Sequence, residues 1–217
     1  MLKKYFKVML LMLAFTLSLS CVEKQTVKKP GESPEAGKAV LINDFEGGSS
    51  QTPFGGSWFS YNDAANGGDS VVKPNPFGPI KGDGANGSSY FAQMTGTVTT
   101  KFQYGFIGIG CDIVSNLSVM DISSYNGIKF FTRGDGKSYS VKLRTTNIKD
   151  FDYFSYTFTA PEKWQEVKIP LKSFKQEGWG QKKILSDSLK FFNGIQFQTI
   201  GQPISSVRLE IDDIYLY

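Results

Sequence analysis

The chain contains no histidine and two cysteines, Cys21 and Cys111. Histidine triads, imidazole-ligated zinc and histidine proton shuttles are therefore excluded by composition. Cys111 lies between Ile109 and Ile113 in a strand-like run, which predicts a buried, inert thiol. No pair of acids stands out as a two-carboxylate glycosidase centre. Gly108-Ile109-Gly110 lacks the strand–loop–helix context of a dinucleotide site. The residues left with chemistry to offer are polar side chains at alternate positions: Lys142 and Arg144, Tyr153 with Ser155 and Thr157, and Gln196 with Gln198. In a strand, alternation puts each set on one face. A surface of amides, hydroxyls, cations and rings can hydrogen-bond and stack on a ligand, but it holds no group poised to break a bond. The expectation is a binding protein and not an enzyme.

These sets need strands to hold them. Residues 121–174 read as one strand after another, with Gly, Asp, Asn or Pro at the breaks. Across the chain, strands are predicted near 40–46, 57–62, 70–73, 88–95, 104–112, 127–133, 138–145, 153–159, 164–169, 193–200 and 206–216. Asp135-Gly136 signals a tight turn, and Pro161 and Pro170 end the strands before them. Helical turns are expected only near 171–176 and 185–191. Such a pattern makes an all-β sandwich or barrel. Within it, Tyr139, Val141 and Leu143 should face one way and Lys142 and Arg144 the other. Phe154, Tyr156 and Phe158 should oppose Tyr153, Ser155 and Thr157. Ile195, Phe197 and Thr199 should oppose Gln196 and Gln198. The polar sets could lie side by side, as a ligand surface or as a plain solvated face.

The N-terminus reads as a targeting segment. Lys3, Lys4 and Lys7 precede an apolar run over 8–19, too short to span a bilayer as a mature helix. Ser18-Leu19-Ser20-Cys21 resembles a bacterial lipoprotein cleavage box. The resemblance implies a signal peptide over 1–20, a lipidated Cys21 and a bacterial envelope lipoprotein at the outer membrane or cell surface. The formal charge of +4 belongs largely to that segment, so it does not argue for a nucleic-acid partner. Residues 21–39 are rich in Lys, Pro and Gly and read as a solvated tether. From residue 40 to Tyr217, aromatic and β-branched residues become dense, as in one folded domain with a proper core.

Three segments carry a family likeness: Leu-Ile-Asn-Asp-Phe-Glu-Gly at 41–47, Trp-Gln-Glu-Val-Lys-Ile-Pro-Leu-Lys-Ser-Phe at 164–174, and the ending Ile-Asp-Asp-Ile-Tyr-Leu-Tyr. They resemble the family 11 carbohydrate-binding modules. The chain is also similar to the domain of complex I intermediate-associated protein 30. The segments 121–128 and 133–139 look more like that second group, as does the spacing of Asp63, Gly67, Gly68 and Ser70. Both likenesses imply a jelly-roll β-sandwich of the galactose-binding-like type.

The carbohydrate-binding likeness implies a sheet face and rim loops that hold a β-glucan chain. Asp150 and Tyr153 match sugar-contacting positions. Arg144, Gln196 and Gln198 fall on the same face, and Trp58, Tyr61 and Trp179 are expected as loop-edge aromatics within reach. Trp164 is expected to pack at the core or rim. The likeness also implies a structural Ca2+ held by Asp44, Glu46 and Asp212, with Asp213 turned away. Two functions follow. One is a lipid-anchored, non-catalytic protein that binds a polysaccharide or oligosaccharide, either β-glucan-like or an envelope glycan. The alternative is an envelope assembly factor that offers the same fold to a protein partner.

Overall fold

The computed structural model describes residues 39–217. The expected signal peptide, Cys21 and the tether through residue 38 lie outside the described residues. No helix among the described residues is long and apolar enough to cross a membrane.

Twelve strands form two antiparallel sheets. They are β1 (Val40–Asn43), β2 (Trp58–Asn62), β3 (Val71–Lys73), β4 (Ile80–Lys81), β5 (Tyr90–Val98), β6 (Ile107–Asp112), β7 (Gly127–Gly134), β8 (Ser138–Thr145), β9 (Phe154–Thr159), β10 (Gln165–Pro170), β11 (Phe192–Thr199) and β12 (Ile204–Leu216). A seven-stranded sheet runs β10-β7-β12-β5-β3, with β1 on β12 and β4 on β5. A five-stranded sheet runs β2-β6-β11-β8-β9. The two pack as a jelly-roll sandwich in a single domain. One α-helical turn, α1 (Leu185–Ser188), and a 3-10 turn at Leu171–Ser173 fall where the helical turns were expected.

Alternation explains the core. The inward row Trp58, Cys111, Ile195, Leu143 and Phe154 crosses all five strands of the smaller sheet. The larger sheet meets it with Ile128, Phe130, Met94, Leu209 and Ile211, all fully buried. Phe130 and Phe197 join the layers edge to face at 5.1 Å. Burial pushes the Cys111 thiol up to about 12, so it stays protonated and unreactive.

One expected turn gains a new role, and two expectations are corrected. Asp135-Gly136 does turn sharply, with Gly136 at φ +77°. However, it joins β7 to β8 across the two sheets and makes no hairpin. Asp135 holds that crossing by accepting from Arg208 N–H at 3.0 Å and from the Tyr139 hydroxyl at 2.9 Å. Tyr156 has the inward parity of Phe154 and Phe158, yet it is exposed. Its strand is an edge of the smaller sheet, and the ring lies 6.1 Å from that of Phe174. Trp58 is no loop-edge aromatic. It starts β2 on the Cys111 side and is 4 % exposed, stacked between Phe77 at 5.5 Å and Phe197 at 6.4 Å. The two-residue strand β4 was not expected at all. Trp164 packs as expected, edge-on to Phe91 and donating to the Asp83 carbonyl at 3.0 Å.

The Asp63 motif is a loop staple. The buried carboxylate accepts from Ser70 N–H at 3.0 Å and from the Ser70 hydroxyl at 2.6 Å. Gly68 passes so close that any Cβ there would strike the Asp63 carboxyl. Gly67 turns the chain at φ +82°, a conformation that favours glycine.

Trp58 is buried in this core while its indole N–H has no hydrogen-bond partner. Trp58→Ala should lower the unfolding free energy by about 3–5 kcal/mol, read by urea denaturation. Trp58→Phe, which removes the orphan donor and keeps a ring, should cost far less. Equal losses for the two variants would contradict this packing.

Candidate functional site

The register of the five-stranded sheet aligns its outward side chains in rows. Phe59, Gly110, Gln196, Lys142 and Ser155 form one row. Tyr61, Gly108, Gln198, Ser140 and Thr157 form the next. Asp112, Gly194 and Arg144 form a third. The polar sets on β8, β9 and β11 therefore do lie side by side.

The middle strands of this face carry glycine, and that controls its shape. A Cβ at Gly108 would collide with the Tyr61 ring, and one at Gly110 would sit 2.7 Å from Gln196 Cγ. Both side chains lie down across β6 where a larger residue would lift them. Tyr61 is half-buried there, and its hydroxyl donates to Gln198 Oε1 at 3.2 Å. Burial raises the Tyr61 pKa above its ordinary value, with nearby Arg144 opposing, so the phenol stays a donor. Phe59 and Phe106 flank Tyr61, each with its ring centre 6.0 Å away. On the same face, Arg144 crosses Gly194 to reach Asp112 at 2.6 Å and lies over the Phe59 ring at 5.4 Å.

Loops 146–153 and 175–183 form one rim of the face. Asp152 is buried and accepts backbone N–H groups from Glu177 at 3.0 Å and from Gly178 and Gly180 at 3.0 Å each. Gly178 turns at φ +95°, and a Cβ on Gly180 would sit 2.6 Å from Asp152 Cβ. The Gly-Trp-Gly segment is thus shaped to sit on Asp152. It presents Trp179 to solvent at 59 % exposure. Glu177 bridges sheet and rim, 3.5 Å from Lys142 Nζ and accepting from the Trp179 indole N–H at 3.3 Å.

The structure brings Tyr61, Arg144, Gln196 and Gln198 onto one face, with Trp179 at its rim. Two expected contact residues have other work. Asp150 accepts from Gln181 N–H at 2.6 Å and from Asp152 N–H at 3.2 Å, and the Gln181 bond holds its carboxyl below the usual carboxylate range. It fastens the rim. Tyr153 is 9 % exposed and packs edge-on to Phe151. Sequence reasoning missed Asp152 and the Phe59–Tyr61–Phe106 stripe. The paired glycines around Trp179 were the available sign of the first, and the alternation of aromatics in Trp-Phe-Ser-Tyr was that of the second.

The expected metal ligands do not converge. Among the described residues no group of three or more His, Cys, Asp or Glu side chains is placed to hold a metal ion. Glu46 accepts from Ser89 and Tyr90 N–H at 2.8 and 2.9 Å. Asp44 accepts from Glu46 N–H at 3.2 Å. Asp212 accepts from Ala85 and Asp213 N–H at 2.9 and 2.8 Å, while Asp213 turns to the Asn86 amide. Each carboxyl accepts backbone N–H from its own surroundings, and the three are not grouped as a three-carboxylate calcium site.

Two surface depressions, of about 480 and 500 Å³, lie elsewhere, around Tyr125 and Leu185 and around Lys137 and Ile204. Neither meets the aligned rows. Concavity is the mark of small-molecule sites, and a chain polymer can instead lie on an open sheet face.

A model of the complex I intermediate-associated protein 30 family matches residues 44–211. The chain belongs to the CIA30 family. It is 30 % identical over 210 residues to endoglucanase 3 of Fibrobacter succinogenes, covering 92 % of this chain and 30 % of that protein. The fold is that of solved carbohydrate-binding modules. A family 11 module from a cellulosomal cellulase of Clostridium thermocellum matches at TM-score 0.56 and 19 % identity, over 84 % of this chain and 95 % of the module. A family 11 module from the same organism, in complex with a β-1,3-1,4-mixed-linked tetrasaccharide, matches at 0.53 and 19 %, over 82 % and 94 %. A family 30 module from another of its cellulosomal cellulases matches at 0.56 and 15 %, over 83 % and 97 %.

Burial of Asp212 pushes its carboxyl from the ordinary 3.8 up to about 7. The unfolded chain therefore ionises this group first. The stability contributed by this group should be full below about pH 4 and be lost as pH rises toward 7. Asp212→Asn should flatten that part of the curve, read as Tm against pH in EDTA. Calcium should leave the wild-type curve in place. A calcium-dependent rise in Tm above pH 7 would show that the carboxylates rearrange around the ion.

Proposed function

We propose that this protein binds a polysaccharide along the outer face of its five-stranded sheet and does not cleave it. The observation that carries this reading is the Tyr61 ring lying across Gly108, beside the Gln196–Gln198 pair. A ring laid down on a sheet can stack on the apolar side of a sugar, and adjacent amides can take its hydroxyls. Both cations on the face are matched, Arg144 by Asp112 and Lys142 by Glu177, which favours a neutral glycan over an anionic one. Similarity to modules of cellulases, one of them in complex with a β-1,3-1,4-mixed-linked tetrasaccharide, supports a β-glucan-like ligand. The chain spans 30 % of its endoglucanase relative, and this reading assigns it that relative's glycan contact and not its hydrolysis. Tyr61, Arg144, Gln196, Gln198 and Trp179 are the contact residues. Asp150 and Tyr153 serve by shaping the rim.

Calorimetry against a panel of soluble glucans and envelope glycans tests this. Mixed-linkage glucan should bind without release of reducing ends. Tyr61→Ala should weaken binding about ten-fold or more. A folded wild-type protein that binds no glycan would overturn the reading. The family match favours a second one, a platform for a protein partner, which a stable complex recovered from membranes would then support.

The sequence before the domain supports lipid anchoring at Cys21 in a bacterial envelope. Cys21→Ser should move the protein from the membrane fraction to the soluble fraction, and an unchanged distribution would count against the anchor.

A further inference from the structure

The aromatic stripe on the sheet does not stop at the last row. Phe59, Tyr61 and Phe106 follow one another at 6.0 Å between ring centres. Phe106 stands just before β6 with the outward parity of Gly108 and Gly110. Two residues earlier, Tyr104 projects from loop 99–106 at 70 % exposure. It is the most exposed large hydrophobic among the described residues.

Tyr104 is exposed but not loose. Phe102 braces it edge-on, with ring centres 5.8 Å apart and planes at 78°. The turn that carries both is closed by Gly105 N–H donating to the Phe102 carbonyl at 3.1 Å. Gln202, on the neighbouring loop, locks it from both sides: its side-chain carbonyl accepts from Gly105 N–H and its amide donates to the Gln103 carbonyl. Gly105 is required, since a Cβ there would press on the Thr99 carbonyl and on Asp63. A ring held out in water by a pinned loop gains nothing for the fold, because its apolar surface stays wet. It has been ordered in advance, which lowers the entropy cost of stacking on a ligand.

Exposed rings thus stand beyond both ends of the aligned rows, Trp179 on the rim side and Tyr104 on the other. Between them, the strand from Phe106 to Asp112 spans about 20 Å at the usual rise. That length suits several sugar units in line, not one or two.

We propose that Tyr104, braced by Phe102, is the terminal stacking platform of the glycan track, so that the protein recognises the interior of an extended neutral polysaccharide. The proposal rests on the glycan reading above and adds its length and its far end. Loop 99–106 then sets how many units are gripped. A chain threads past both rings with its ends free, and a short oligosaccharide reaches only the central rows.

Calorimetry with β-1,3-1,4-mixed-linked glucan oligosaccharides from tetrasaccharide to octasaccharide tests it. Wild-type affinity should rise about five- to ten-fold between the two lengths, the range expected for one added stacking contact. Tyr104→Ala should bring the octasaccharide-to-tetrasaccharide ratio down to about one to two, and Tyr104→Phe, which keeps the ring, should restore it. Thermal unfolding checks that each variant is folded. Phe102→Ala, which frees the ring without removing it, should lower the ratio by an intermediate amount. A wild-type affinity that levels off at the tetrasaccharide would overturn the platform while leaving the glycan reading standing, as would a Tyr104→Ala ratio equal to the wild-type one. No binding at any length would overturn both.

Discussion

Phe59, Gly110, Gln196, Lys142 and Ser155 share one row because four antiparallel strand pairs hold their register. A slip of one residue in any pair would turn that strand's outward side chains into the core. The core forbids it. Ile109, Phe197 and Val141 are fully buried on the inward side of the same strands, and exposing them would forfeit about 1.5–3 kcal/mol each. The apolar layer between the sheets is therefore what fixes the polar and aromatic pattern on the outside. Trp58 belongs to this constraint and not to the surface.

Given that register, glycine decides the relief of the face. Three strand positions on its outward side are Gly108, Gly110 and Gly194, and they are overlaid by Tyr61, Gln196 and Arg144. A larger residue in the middle strands would have raised these groups and separated them. Instead Tyr61 reaches Gln198, and Arg144 reaches Asp112 across the sheet. The result is a low, pre-ordered surface whose hydrogen-bonding groups are partly spent on one another and whose rings lie in line. Such a surface is suited to binding by many modest contacts.

The loops complete the site by the same economy of backbone donors. Asp152 gathers the N–H groups of Glu177, Gly178 and Gly180, and Asp150 takes a fourth from Gln181. At the other end Gln202 fastens the Tyr104 loop. Asp63, Asp135 and Asp212 likewise accept backbone amides. Many acids among the described residues tie down loops in this way, Glu46 and Asp212 among them.

The sequence by itself determined the all-β class, nearly every strand, and which side chains of β8 and β11 point together. These are local consequences of the two-residue period, of Gly and Pro at the breaks, and of composition. It also determined the family, through segments spread over the whole domain. Only the tertiary structure decided which strands become neighbours. Asp135-Gly136 signals a tight turn and makes one, but that this turn crosses between the sheets depends on contacts far away along the chain. It likewise decided that Trp58 is inside and Tyr104 outside, that Tyr156 on its edge strand is exposed, and that Asp150 and Asp152 hold backbone. A carboxylate or a ring has the same local signature in each role, and only the groups packed around it settle which role it takes.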